Sequence, residues 1–178
     1  MDPATATLVA EVGIEVVKAV ANNIESHGNF KNKNRKLIIY YANKTKTHHL
    51  KISELTQISG RCDKNLECRW FGQGTMGATL HCEGDNTWFC GTSGTFKISA
   101  KEVSSGRIQS AYINFSNPYA GCCKIGYSYQ SAAQADINTQ DGYSKEVDLG
   151  TSDLPLSVYL TQKNEESTPT FTVVARSQ

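Results

Sequence analysis

No apolar run in this chain of 178 residues approaches the ~20 residues that a membrane-spanning helix needs. Neither sign of charge dominates: 18 Lys and Arg meet 17 Asp and Glu, for a net charge of +1. A dedicated nucleic-acid binder carries a clear basic excess, so nucleic acid is not an expected partner. Catalytic signatures are missing as well. There is no Gly-x-Ser-x-Gly elbow, no His-Glu-x-x-His helix and no P-loop. His48 and His49 adjoin each other in an apparent strand, so they face opposite ways and do not readily chelate one metal. Nothing local marks a cysteine as a nucleophile. The expectation is a protein that is not an enzyme and carries no metal or cofactor.

What is present is globular: 39% hydrophobic and 20% charged residues. A chain of this length buries roughly 70% of its unfolded surface and can build a core without help. The charge is unevenly spread. Seven basic residues and no acid lie between Lys31 and Lys51, whereas Ser131 to Gln178 holds seven acids and three bases. The basic stretch suits either an anionic headgroup surface or a solvated turn and strand face.

The six cysteines are Cys62, Cys68, Cys82, Cys90, Cys122 and Cys123. Their even number, with four in a stretch dense in Gly, Asn, Asp and Thr, suits one or two disulfides stapling an irregular region. Free buried thiols are the alternative. Zinc fits less well, because Cys-x5-Cys and Cys-x7-Cys are not the short knuckle of a structural zinc site. Asn43-Lys-Thr and Asn114-Phe-Ser are glycosylation sequons, permitted by secretion. Met1-Asp2-Pro3 lacks the basic region of a signal peptide. The chain reads as either a mature secreted form with an added Met or a cytosolic protein, and the cysteines favour the former.

Residues 5–26 have helical periodicity. Glu11, Glu15, Lys18, Asn22, Glu25 and Ser26 fall in one arc of about 100°, with Val9, Val12, Val16, Val17, Val20, Ala21 and Ile24 opposite. Pro3 in front and His27-Gly28-Asn29 behind supply start and stop signals. A helix of this length spans ~30 Å, the thickness of a bilayer core. Its valines and Gly13 give poor intrinsic helix propensity, so it needs support. Two supports are open: docking on a sheet, or lying in or across a membrane.

From Asn34 onward the period becomes two. Leu37–Tyr41 is a candidate buried strand. Phe96, Ile98 and Ala100 alternate with polar residues, as do Ala111, Ile113 and Phe115. The same holds for Ile125, Tyr127 and Tyr129, for Leu154 to Leu160, and for Phe171, Val173 and Ala175. Turn signals at Asn43-Lys44, Ser105-Gly106, Asn117-Pro118, Asp141-Gly142 and the run Lys163 to Pro169 separate them. This predicts a mainly β fold: an antiparallel β-sandwich flanked by helices, including the N-terminal amphipathic one. Two regions are expected, the helix over 1–29 and a sandwich over 30–178 with a Cys-rich segment at about 61–90.

The order of parts resembles the actinoporins, pore-forming cytolysins of sea anemones with mollusc relatives. Three stretches carry the resemblance: the N-terminal helix; Gly28 to Ile39 followed by the turn Ala42-Asn43-Lys44-Thr45; and Gly94 to Ile98 through Phe115-Ser116-Asn117-Pro118-Tyr119. The pair Leu154–Leu160 and Thr170–Arg176 is similar to the family's last hairpin. The resemblance implies a β-sandwich with flanking helices, monomeric in solution, that docks on membrane lipid, often sphingomyelin or another phospholipid headgroup. The helix then detaches and several copies line a pore in the target-cell membrane. It implies lipid contacts at Ser116, Pro118 and Tyr119, and at Tyr143 in the region of the family's second helix (Asp136 to Val147). Lys33, Arg35 and Lys36 match its basic headgroup contacts. Glu11, Glu15, Lys18 and Glu25 would face a cation-favouring lumen, with the valine face toward lipid.

The chain also departs from the family. Where actinoporins carry a loop rich in Trp and Tyr, it runs Ala120-Gly121-Cys122-Cys123-Lys124-Ile125. The Cys-rich segment has no clear counterpart. It holds Trp70-Phe71 and Trp88-Phe89, with Trp70 and Trp88 as candidate interface aromatics or as ordinary core around a disulfide. The alternative to a pore former is a secreted, non-lytic reader of lipid or glycan, its helix permanently docked.

Overall fold

A computed structural model describes residues 36–59, 61–62, 70–82, 92–117, 124–132, 144–163 and 170–177. The N-terminal helix over 1–29 lies outside them, as do Cys68, Cys90, Cys122 and Cys123. Among the described residues, ten strands form two sheets. The first has the order β3-β4-β1-β10-β9-β8 and the second β2-β5-β6-β7. The strands are β1 Lys36–Asn43, β2 His48–Ser59, β3 Arg61–Cys62, β4 Met76–Cys82 and β5 Thr92–Glu102. They continue with β6 Ile108–Asn117, β7 Lys124–Ser128, β8 Ser144–Asp148, β9 Leu156–Lys163 and β10 Thr170–Ser177. Among the described residues there is no α-helix.

One core joins both sheets. Leu50, Ile52, Phe96, Ile98, Ile113, Phe115 and Ile125 come from the four-stranded sheet, and Val147, Leu156 and Val158 from the six-stranded one. The expected alternation is visible in β6, where Ala111, Ile113 and Phe115 are buried and Tyr112 faces outward. Phe96 and Phe115 meet at 6.2 Å between ring centroids. Gly94 permits that packing, because a Cβ there would sit 2.5 Å from the Thr56 carbonyl oxygen and 2.7 Å from Phe115 Cζ.

The structure corrects the sequence reading in four places. The sandwich is mixed rather than wholly antiparallel: β1 runs parallel to β10. A parallel pair needs a long crossover, and here the rest of the domain supplies it. Second, the Cys-rich segment is not wholly irregular. β4 is an interior strand between β3 and β1, and its Met-x-Ala-x-Leu-x-Cys alternation was hidden by Gly77 and by the cysteine spacing. Its register sets Cys82 opposite Arg61, and Cys62 opposite His81. Third, Leu154 precedes β9 in a bend closed by Thr151 N–H to the Leu154 carbonyl at 3.0 Å; Pro155 brings no ladder donor. Fourth, residues 144–147 of the window set against the family's second helix are in β8; the remainder of that window is not described.

Candidate functional site

The resemblance points to the end of β6, and the outward face of the four-stranded sheet extends from there. Directly opposed residues in an antiparallel pair share a face. Ser116 is half-buried and lies opposite Ser93 of β5 and Lys124 of β7. Two hydroxyls and an ammonium thus share one row, a donor set that suits a phosphate-bearing headgroup. One step along the face is Asn114, whose Nδ2 donates to the Ala132 carbonyl at 3.1 Å and ties the chain after β7 to the sheet. Pro118, Tyr119 and Tyr143 lie outside the described residues.

The next rows carry further cations. Lys97 Nζ is 2.9 Å from Glu54 Oε1 and 5.2 Å from the centroid of the Tyr112 ring. The hydrogen bond that it donates to Glu54 holds the Lys97 ammonium above its ordinary pKa. Glu54 sits in a bulge of β2, where the register with β5 shifts between Ser53 and Thr56, and its φ is 52°. Left-handed backbone is uncommon for glutamate. Beyond lie Lys51, Ser99 and Ser110 in one row, with Ser99 and Ser110 hydroxyls 2.7 Å apart, then His49, Lys101 and Ile108. Among the described residues this face holds Lys51, Lys97, Lys101 and Lys124, with Glu54 bound to one of them. Sequence reasoning missed it, although Lys97-x-Ser99-x-Lys101 in period two was the available signal.

Trp70 and Phe71 part company. Phe71 is buried, pairs with Leu50 through two backbone hydrogen bonds of 2.9 and 2.8 Å, and meets the Tyr41 ring in a tilted contact at 5.2 Å between centroids. It belongs to the core between the sheets. Trp70 is half-buried, with Lys51 Nζ 6.0 Å from its ring. The structure does not bring Trp70 beside Ser116. The strand partner of Phe71, Leu50, pairs with Ala100 of β5, whereas Ser116 pairs with Ser93. Seven residues of strand separate those positions by roughly 24 Å. Trp88 is not described. Lys36 opens β1 in the other sheet, opposite Cys82; Lys33 and Arg35 are not described, nor are Val9, Val12, Val16, Val17, Val20, Ile24, Glu11, Glu15, Lys18 or Glu25.

Beneath the Ile108 end lies a buried polar corner. Asn43 is fully buried, and its Nδ2 donates to the carbonyls of His48 at 2.9 Å and Phe71 at 3.2 Å. Its Oδ1 accepts Thr45 N–H at 3.0 Å. Both sequon asparagines, Asn43 and Asn114, are therefore buried with their amide nitrogens donated to backbone, so neither is a glycan acceptor in this fold. His48 is also buried, hydrogen-bonds Thr47 Oγ1 at 2.9 Å, and pairs with Glu102 across β2 and β5. His49 beside it is exposed, as alternation requires. Glu102 takes hydrogen bonds from Ser105 and from Thr151 Oγ1. No three His, Cys, Asp or Glu side chains among the described residues gather to hold a metal ion.

This corner makes the fold acid-sensitive. Burial lowers the His48 pKa below its ordinary 6.5, against the opposing pull of Glu102. The Ser105 hydrogen bond lowers Glu102 below its ordinary 4.5, helped by Thr151, Arg107 and His48 and opposed by burial. In both cases the unfolded chain binds the proton more readily, so stability falls as pH falls. The His48 contribution starts to fade below pH 6.5, and that of Glu102 below pH 4.5. Urea midpoints measured as pH drops from 6.5 are expected to decline in the wild type. In His48→Gln the decline over the His48 window is expected to flatten. An unchanged slope in the variant would remove His48 as the cause.

No protein-family model matches the sequence, and no curated protein does. Solved structures do. The crystal structure of the lipid binding protein Nakanori matches with a TM-score of 0.67 and 12% identity, over 97% of this chain and 86% of that one. The RahU protein, in complex with a TRIS molecule, matches with a TM-score of 0.45 and 11% identity, over 82% of this chain and 98% of that one. The first shows that this chain shares its fold with Nakanori.

Proposed function

We propose that this chain is a secreted membrane-binding protein that reads a phospholipid headgroup and forms pores by inserting residues 5–26. One observation carries the lipid part: the fold match to a protein named for lipid binding extends over 97% of the chain. The outward row of Ser93, Ser116 and Lys124 is consistent with it in chemistry. The pore part rests on the sequence. A valine-faced segment with one acidic arc gains in lipid what it lacks in water, because a helix there satisfies its own backbone groups. Copies assembled in the membrane would turn Glu11, Glu15, Lys18 and Glu25 to a shared lumen that favours cations. Headgroup choice, sphingomyelin or another phospholipid, is part of what the experiment decides. The function needs no enzymatic step and no cofactor.

The test is dye release and co-sedimentation with liposomes of phosphatidylcholine, with and without sphingomyelin. The full chain is expected to bind and release dye. A chain lacking residues 1–26 is expected to bind without release. Binding by both, with release by neither, would leave the non-lytic lipid reader as the function. That second reading is favoured by the cationic, hydroxyl-rich sheet face, which needs no mobile helix to bind. Absence of binding to either liposome would end the lipid reading and point to glycan.

A further inference from the structure

The hairpin joining β5 and β6 is built to stay extended. Gly106 N–H donates to the Glu102 carbonyl and Glu102 N–H to the Arg107 carbonyl, both at 2.9 Å, and Gly106 has a φ of 73° that favours glycine. Ser105 binds Glu102 from within the turn, and Arg107 N–H donates to Ser105 Oγ at 3.1 Å. Val103 N–H donates to the Thr47 carbonyl at 2.9 Å, anchoring the tip to the chain entering β2. On this rigid tip Val103 is 56% exposed and Ile108 53%. Scattered exposed aliphatics are ordinary, but these two flank the four residues 104–107 of one tight turn.

Cations surround the pair. Arg107 and Lys46 are exposed, and Lys101 lies opposite Ile108 with its Cε 3.8 Å from where a Cβ on Gly106 would be. His49 completes that row. The acid of the turn, Glu102, is turned inward onto Ser105 and Thr151. Asp148 and Asp153, exposed at and beside the neighbouring 150–155 loop, are acids that face solvent nearby. A convex tip that offers aliphatics inside a basic rim fits one surface above others, a bilayer with anionic headgroups, where the apolar tip enters the acyl boundary and the cations stay with phosphate. We propose that the β5–β6 hairpin end is a membrane contact of this protein for anionic phospholipid, separate from the Ser116 row at the far end of β5. The proposal rests on the lipid-binding reading and specifies the surface that does the binding.

The experiment is sedimentation with sucrose-loaded vesicles of phosphatidylcholine, with and without phosphatidylserine. It compares the full chain with the double variant Val103→Asp and Ile108→Asp and with Arg107→Glu. Both aliphatics are already exposed, so the double variant is expected to fold, and an unchanged circular dichroism melt checks this. Losing about half of each aliphatic's transfer free energy corresponds to about a decade of affinity, so the double variant is expected to bind at least tenfold more weakly. Arg107→Glu is expected to weaken binding only where phosphatidylserine is present. Wild-type affinity in a folded double variant would overturn the hairpin proposal and keep the lipid reading. A full chain that binds neither vesicle would overturn both.

Discussion

Replacing Asn43 with alanine is expected to cost about 3–5 kcal/mol, because it removes three buried hydrogen bonds to the backbone at once. The His48 carbonyl loses the Asn43 donor, the Phe71 carbonyl is left with Leu50 N–H, and Thr45 N–H loses its acceptor. Asn43 and Thr45 are both fully buried, so water cannot take the vacated places without opening the corner. The position couples the two sheets: Asn43 ends β1, His48 begins β2, and Phe71 bridges to Leu50. Asn43→Asp keeps the acceptor but loses both donors and buries a charge, so it is expected to be no better than alanine. Domains are commonly stable by 5–15 kcal/mol, so either change takes a large share. Urea unfolding measures it. A loss below about 1 kcal/mol in Asn43→Ala would mean that the three bonds are exchangeable for solvent.

The second large effect is expected at Gly150. A Cβ there would lie 2.1 Å from Leu156 N and 2.6 Å from both Cα and C of Pro155. These are backbone atoms, so no rotamer change relieves the clash. Gly150→Ala must lift the 150–155 loop. That breaks the Leu149 N–H bond to the Leu156 carbonyl at 2.9 Å and the one from Gln109 Nε2 to the Gly150 carbonyl at 2.8 Å. Overpacking of this kind, without room to relax, is expected to cost about 3 kcal/mol. Gly74 provides the contrast. Its φ is 78°, and a Cβ there would meet nothing within 4 Å. Gly74→Ala is expected to cost about 1 kcal/mol, from backbone strain alone. Equal melting-temperature losses for the two variants would show that crowding at Gly150 is relieved in the folded state.

Much of the fold was legible in the sequence for a local reason. Alternation along β6, turn chemistry at Ser105-Gly106 and the turn after β1 are encoded within a few residues, and all appear as expected. The parallel pairing of β1 with β10 was not legible, because it joins residues more than a hundred positions apart and has no local mark. β4 was obscured by a segment whose cysteines drew the reading toward a stapled loop. The candidate site was legible in one residue, Ser116, and otherwise dispersed. Lys97, Tyr112 and Glu54 meet only because a bulge in β2 turns a glutamate toward a lysine two strands' registers away from any shared motif.

The sequence alone determined that this is a sheet-rich globular domain with near-zero net charge, and that its first residues have the pattern of an amphipathic helix. Those properties depend on composition and on periodicity along the chain, which need no partner to be read. The tertiary structure decided which polar residues are sealed and which are offered. It buried two sequon asparagines as donors to backbone carbonyls, took Phe71 into the core while leaving Trp70 half-buried, and set Val103 and Ile108 on an exposed turn. Burial is a property of what packs against a residue from distant parts of the chain, and no local pattern specifies it.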